Sequence, residues 1–123
     1  MIPQAIKVRK NSRCVELTYG SDVYSLPYEL LRVYSPSAEV RGHGVGNEVL
    51  QTGKKDVTLL RMEPAGNYAL KLVFDDGHDS GLYDWAYLHH LCKNQERLWD
   101  EYLQKLEAAG KSRDSDTINF RAL

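Results

Sequence analysis

Few side chains in this 123-residue chain could do chemistry. The imidazoles are His43, His78, His89 and His90, the thiols are Cys14 and Cys92, and the acids nearest an imidazole are Asp76 and Asp79. His43 and His78 both sit beside glycines in loop-like stretches, so the two could meet and hold a labile metal. His89 and His90 are neighbours on a helix-like run, where successive side chains diverge by about 100°, so the pair cannot chelate from one face. His78-Asp79-Ser80 does not fit the His-x-Asp or His-x-Glu pattern of a facial-triad iron site. Ser80 is close to His78 and Asp79 only in sequence, which is not triad geometry, and no catalytic residue is assigned. Gly42-His43-Gly44-Val45-Gly46 lacks the Lys-Ser/Thr of a P-loop and follows a loop, so it carries no phosphate-binding signature.

The elements that must position these groups follow from periodicity. Ala5 to Arg9 and Cys14 to Tyr19 alternate around the turn residues Asn11-Ser12 and form a hairpin. A third short strand runs from Val23 to Leu26. Pro27 ends it and stands at the first position of a short helix through Tyr34, where its missing amide costs nothing. Residues 35–56 show little periodicity and many glycines, the pattern of a long irregular connection. Val57 to Glu63 and Tyr68 to Phe74 make a second antiparallel pair across Pro64-Ala65-Gly66-Asn67. Asp76-Gly77 then supplies a tight turn that places His78 just past it.

From Trp85, apolar residues recur at steps of three and four through Leu106, the stripe of one helix. Asp84 is the expected N-cap and Gly110 the expected stop. At about 1.5 Å per residue this helix is roughly 37 Å long, more than a small sheet covers. Its distal Trp99, Tyr102, Leu103 and Leu106 are expected on the first hairpin, with a partner-binding face as the alternative. The fold class is therefore α+β: a small β-rich domain of antiparallel hairpins with one short helix and a long C-terminal helix. Residues 1–109 form a single domain, and 110–123 are read as a flexible tail, although Ile118-Asn119-Phe120 could dock.

Apolar residues make up 42% and charged residues 27%, which excludes a disordered chain, and no apolar run reaches membrane-spanning length. A formal charge of −1 offers no basic field for nucleic acid. The N-terminus has no signal-peptide pattern, so cytoplasmic residence is expected. With no C-x-x-C pair, both cysteines are expected as small buried hydrophobes.

Two long strings carry a resemblance. Leu26-Pro27-Tyr28-Glu29-Leu30-Leu31-Arg32-Val33-Tyr34-Ser35-Pro36-Ser37-Ala38-Glu39-Val40-Arg41-Gly42-His43-Gly44 is one. Gly66-Asn67-Tyr68-Ala69, with Phe74-Asp75-Asp76-Gly77-His78-Asp79-Ser80-Gly81-Leu82-Tyr83, is the other. Both resemble the DUF971 family, which is similar to the N-terminal domain of gamma-butyrobetaine hydroxylase. The resemblance implies a small α+β domain, found alone in bacteria and fused elsewhere, including beside P-loop carriers of iron-sulfur clusters. It brings no catalytic activity of its own. It also implies a zinc position made by three cysteines and one histidine, at which this chain has Ser35, Ser37, Val40 and His78. Hydroxyls and an aliphatic group lack the charge and softness of thiolates, so that zinc is expected to be absent.

The expected function is that of a non-enzymatic accessory or interaction domain with a protein partner. Its expected surface comprises Arg32, Arg41, His43, Asp76, His78, Asp79 and Tyr83. The alternative is a metal-binding or iron-sulfur assembly accessory that uses His43 and His78.

Overall fold

The computed structural model describes residues 1–42 and 46–115. Expectations for His43, and for Ile118 to Phe120, therefore lie outside the described residues. The chain folds as two three-stranded antiparallel sheets and a long helix, an α+β arrangement.

Sheet one has the order β1 (Ala5–Arg9), β2 (Cys14–Tyr19), β3 (Asp22–Pro27). Val15 pairs with Val8 and Leu26, and Leu17 with Ile6 and Tyr24. This register turns Val15, Leu17, Tyr19 and Leu26 into the core. α1 (Tyr28–Val33) follows at once. Pro27 is its N-cap with φ −60° and ψ 148°, one residue before the expected position, because Pro27 is still in register with Cys14.

The connection expected to be irregular contains a short helix, α2 (Ala38–Arg41), started by Ser37, whose hydroxyl accepts from the Glu39 amide at 3.2 Å. Gly42 then takes φ 71°, and a Cβ there would lie 2.0 Å from the Asn47 carbonyl oxygen. Only glycine allows that approach.

Sheet two has the order β4 (Leu59–Ala65), β5 (Ala69–Phe74), β6 (Leu82–Asp84). A register shift between Leu59 and Arg61 marks a bulge in β4. The sequence pattern missed β6, whose three residues are too few to show a period. Arg13, at the turn of the first hairpin, reaches across to this half of the molecule: it donates to the Thr58 hydroxyl at 3.1 Å and to the Val57 carbonyl.

α3 (Trp85–Ala109) begins at Asp84, whose carboxylate accepts from the Tyr87 amide at 2.7 Å, and ends at Gly110 in the left-handed conformation. Leu88, Leu91, Cys92 and Leu98 join Leu72, Phe74 and Tyr83 in the main core. The distal stripe packs elsewhere than expected. Tyr102 and Leu106 meet Val33 in a separate cluster with Tyr34, Leu50 and Trp99, so the end of α1 and the connection cover them, not the first hairpin. Leu103 remains exposed. Cys14 and Cys92 are both free and buried. Among the described residues, no helix is long and apolar enough to cross a membrane.

The expected tail is tied down over its first residues. The Gly53 amide donates to the Ser112 carbonyl and the Lys55 amide to the Arg113 carbonyl, both at 3.0 Å. Arg113 also grips Glu29 with two bonds of 2.7 and 2.8 Å.

Candidate functional site

Two irregular segments meet beneath the end of β5. One leaves α1 as Tyr34-Ser35-Pro36-Ser37; the other leaves β5 as Asp75-Asp76-Gly77-His78. Gly77, at φ 86°, lets the second reverse, so that the Phe74 amide reaches the His78 carbonyl at 3.0 Å. Asp76 accepts from the His78 amide at 3.2 Å, an Asx turn that fixes the imidazole inward.

His78 has 5% exposure, and both of its ring nitrogens are engaged. Nδ1 lies 3.1 Å from a Glu39 carboxylate oxygen and Nε2 lies 2.7 Å from the Ser35 hydroxyl. A carboxylate only accepts, so Nδ1 carries the proton, and Nε2 accepts from Ser35. Ser35 Oγ in turn accepts from the Ser37 amide at 3.3 Å, and the Ser37 and Ser80 hydroxyls are 2.7 Å apart. Burial, then the nearby Arg32 charge, pushes the His78 pKa below its usual value, against the opposing pull of Glu39 and Asp76.

The order Ser35, His78, Glu39 matches the relay that activates a serine nucleophile. Access rules that chemistry out. Ser35 is 1% exposed, and Gly81 lies against it so closely that a Cβ there would be 2.4 Å from its hydroxyl. No acyl group fits between them, and the network is a means of holding two loops together.

Alongside runs an ionic cluster. Asp76 accepts from Arg32 at 2.8 Å and from Lys54 at 2.6 Å, while Arg32 also donates to the Gln51 side chain at 3.0 Å. Burial alone would raise the Asp76 carboxyl. The bonds from Lys54 and Arg32, the Arg32 charge and the His78 amide outweigh it and hold the pKa at about 2.

The structure corrects the expected contact surface. Arg32, His78 and Tyr83 are buried, with the Tyr83 hydroxyl donating to the Leu31 carbonyl, so these three support the surface from within. Arg41 and Asp79 are exposed, and the Asp76 side chain is 21% exposed. The Arg41 guanidinium lies 4.9 Å from the Tyr87 ring centre. His89 packs edge-on to Tyr19, and His90 contacts Tyr87 and Asn94, away from His78. Glu39 is the member that sequence reasoning missed. Its only local signal was an acid in the first turn after the Ser37 cap, a common preference of helix starts.

Ser35, Ser37 and His78 do come together, and the buried Val40 lies on the adjoining helix. This donor set does not fit tetrahedral zinc, because it offers one imidazole, already bonded at both nitrogens, two neutral hydroxyls and no thiolate. Among the described residues, no group of three or more His, Cys, Asp or Glu could hold a metal ion.

Two small antiparallel sheets backed by a capped C-terminal helix, with a hydrogen-bonded corner around His78, define an α+β module. The chain belongs to the family described as gamma-butyrobetaine hydroxylase-like, N-terminal, whose model matches residues 6–89. It is similar to a protein whose solution structure was determined by NMR, at 57% identity and a TM-score of 0.83, over 97% of this chain and 94% of that one. A second NMR structure is 48% identical, with a TM-score of 0.78 over 97% and 89%. A crystal structure of a DUF971 family protein of unknown function from Acidithiobacillus ferrooxidans ATCC 23270 is 33% identical, with a TM-score of 0.60 over 72% of this chain and 90% of that one. No curated protein matches the chain.

Proposed function

We propose that this chain is a non-catalytic interaction domain that recognises a protein partner through the exposed face of the corner, where Arg41 of α2 and Asp76 and Asp79 of the turn stand. The observation that carries this reading is the internal commitment of the reactive groups. His78 uses both nitrogens within the fold, and Asp76 is held by Arg32, Lys54 and the His78 amide. Burial raises the Cys92 thiol to about 11, far from a reactive thiolate. Polar side chains spent in this way rigidify irregular backbone, which suits a recognition surface and does not suit turnover.

The test is affinity capture with wild type, an Arg41→Glu/Asp79→Lys variant, and a Lys7→Glu control on β1. A specific partner should be lost from the corner variant and retained by the control. The same partners on all three baits would overturn the reading.

A further inference from the structure

A groove of about 470 Å³ runs between α3 and the segment from Glu48 to Gln51, with the end of α1 as its floor. Its volume is within the roughly 300–1,000 Å³ typical of small-molecule sites. Val33, Val40, Leu50, Ala108 and Ala109 make its lining largely apolar.

The uncharged polar side chains in that lining are already hydrogen-bonded within the fold. The Tyr87 hydroxyl donates to the Tyr34 carbonyl at 2.6 Å and the Tyr102 hydroxyl to the Gln51 carbonyl at 2.7 Å, so both hydroxyls are paired within the fold. The Gln51 amide donates to the Val49 carbonyl and its side-chain oxygen accepts from Arg32, while Ser35 is bonded to His78. The interior therefore asks for an apolar occupant.

The rim asks for a charge. Arg41 and Lys105 line the groove, are exposed, and form no ion pair among the described residues. Among the described residues Glu48 is the one acid in the lining, which leaves one positive charge in excess there. Arg41 is steadied against the Tyr87 ring, 4.9 Å from its centre, and a planar guanidinium can grip a carboxylate with two bonds. Val49, 52% exposed at the same rim, is an apolar side chain that an occupant would cover.

We propose that this groove binds an amphiphilic monocarboxylate, an apolar chain or ring lying along α3 with its carboxylate on Arg41 or Lys105. The groove shares Arg41 with the proposed partner surface, but its test uses the isolated chain with no partner present, so the two readings fail separately.

Decanoate is titrated into the labelled protein below its micellar range and followed by amide shifts, with decyltrimethylammonium and decanol as probes of the same tail. Saturable shifts at Val40, Val49, Leu50, Tyr87 and Ala108 are expected with decanoate, with binding about fivefold to tenfold weaker for the other two. The Arg41→Gln/Lys105→Gln variant should lose that preference. Ala108→Trp, at an exposed helical position, should block all three while leaving the unfolding midpoint near wild type. Equal binding of decanoate and decyltrimethylammonium would overturn the proposal, as would shifts elsewhere on the chain. Retention on phosphatidylglycerol vesicles without saturable decanoate shifts would also overturn it, by pointing to a membrane surface.

Discussion

Phe74 closes β5 and His78 follows four residues later; the two are buried almost equally, at 1% and 5% exposure. Their surroundings differ in kind. Phe74 shares the apolar core with Leu30, Leu72 and Leu91 and contacts the His78 ring at 6.3 Å between centres, contacts that need only shape and volume. The His78 nitrogens are met by Ser35 and Glu39, which need direction and a particular proton on a particular nitrogen. The apolar part should tolerate a change of similar volume and suffer from a void. The polar part should tolerate neither the loss of a partner nor a small displacement, because an orphaned buried donor or acceptor keeps its full desolvation cost.

The largest expected effect comes from emptying the apolar part. Phe74→Ala should lower stability by about 3–5 kcal/mol in urea titration. Next is displacement within the polar part. Gly81→Ala drives a methyl toward Ser35 and should cost about 1–3 kcal/mol, with a shift of the His78 ring resonances. Ser35→Ala removes the partner of Nε2 without adding bulk. It should cost about 1 kcal/mol by thermal or urea unfolding; a neutral result would show that His78 finds another donor there.

The smallest effect is a pH response. His78 takes up a proton less readily in the fold than in the unfolded chain, whose value is near 6.5. Its contribution to stability is therefore complete above that pH and declines as the pH falls below it. The Asp76 carboxyl, ordinarily near 3.8 and held at about 2, adds a second loss between those values. His78→Gln should flatten the first decline in the urea midpoint and leave the second. An unaltered first decline would mean that another group titrates there.

The same contrast explains what could be read in the chain. α3, with Asp84 and Gly110 as its caps, was legible because burial imposes a regular spacing and caps have local chemistry. The two hairpins were legible for the same reason. The network at His78 was not, because its partners lie 39 and 43 residues away and hydrogen bonds leave no period. Resemblance did place Ser35, Ser37 and His78 near one another, but as vacated ligand positions rather than as mutual partners. Burial of Arg32 and Tyr83 was also hidden, since a charged side chain and a tyrosine in conspicuous strings suggested exposure. Only the contacts with Asp76, Gln51 and the Leu31 carbonyl explain their place inside.

Arg113 reaches back 84 residues to Glu29, in the first turn of α1. A ribosome therefore releases the acid long before it has made the base that neutralises it. Until residue 113 emerges, Glu29 lacks the basic partner that its burial calls for. Completion of this module thus waits on residue 113, and a chain cut just after α3 would lack its closing clasp.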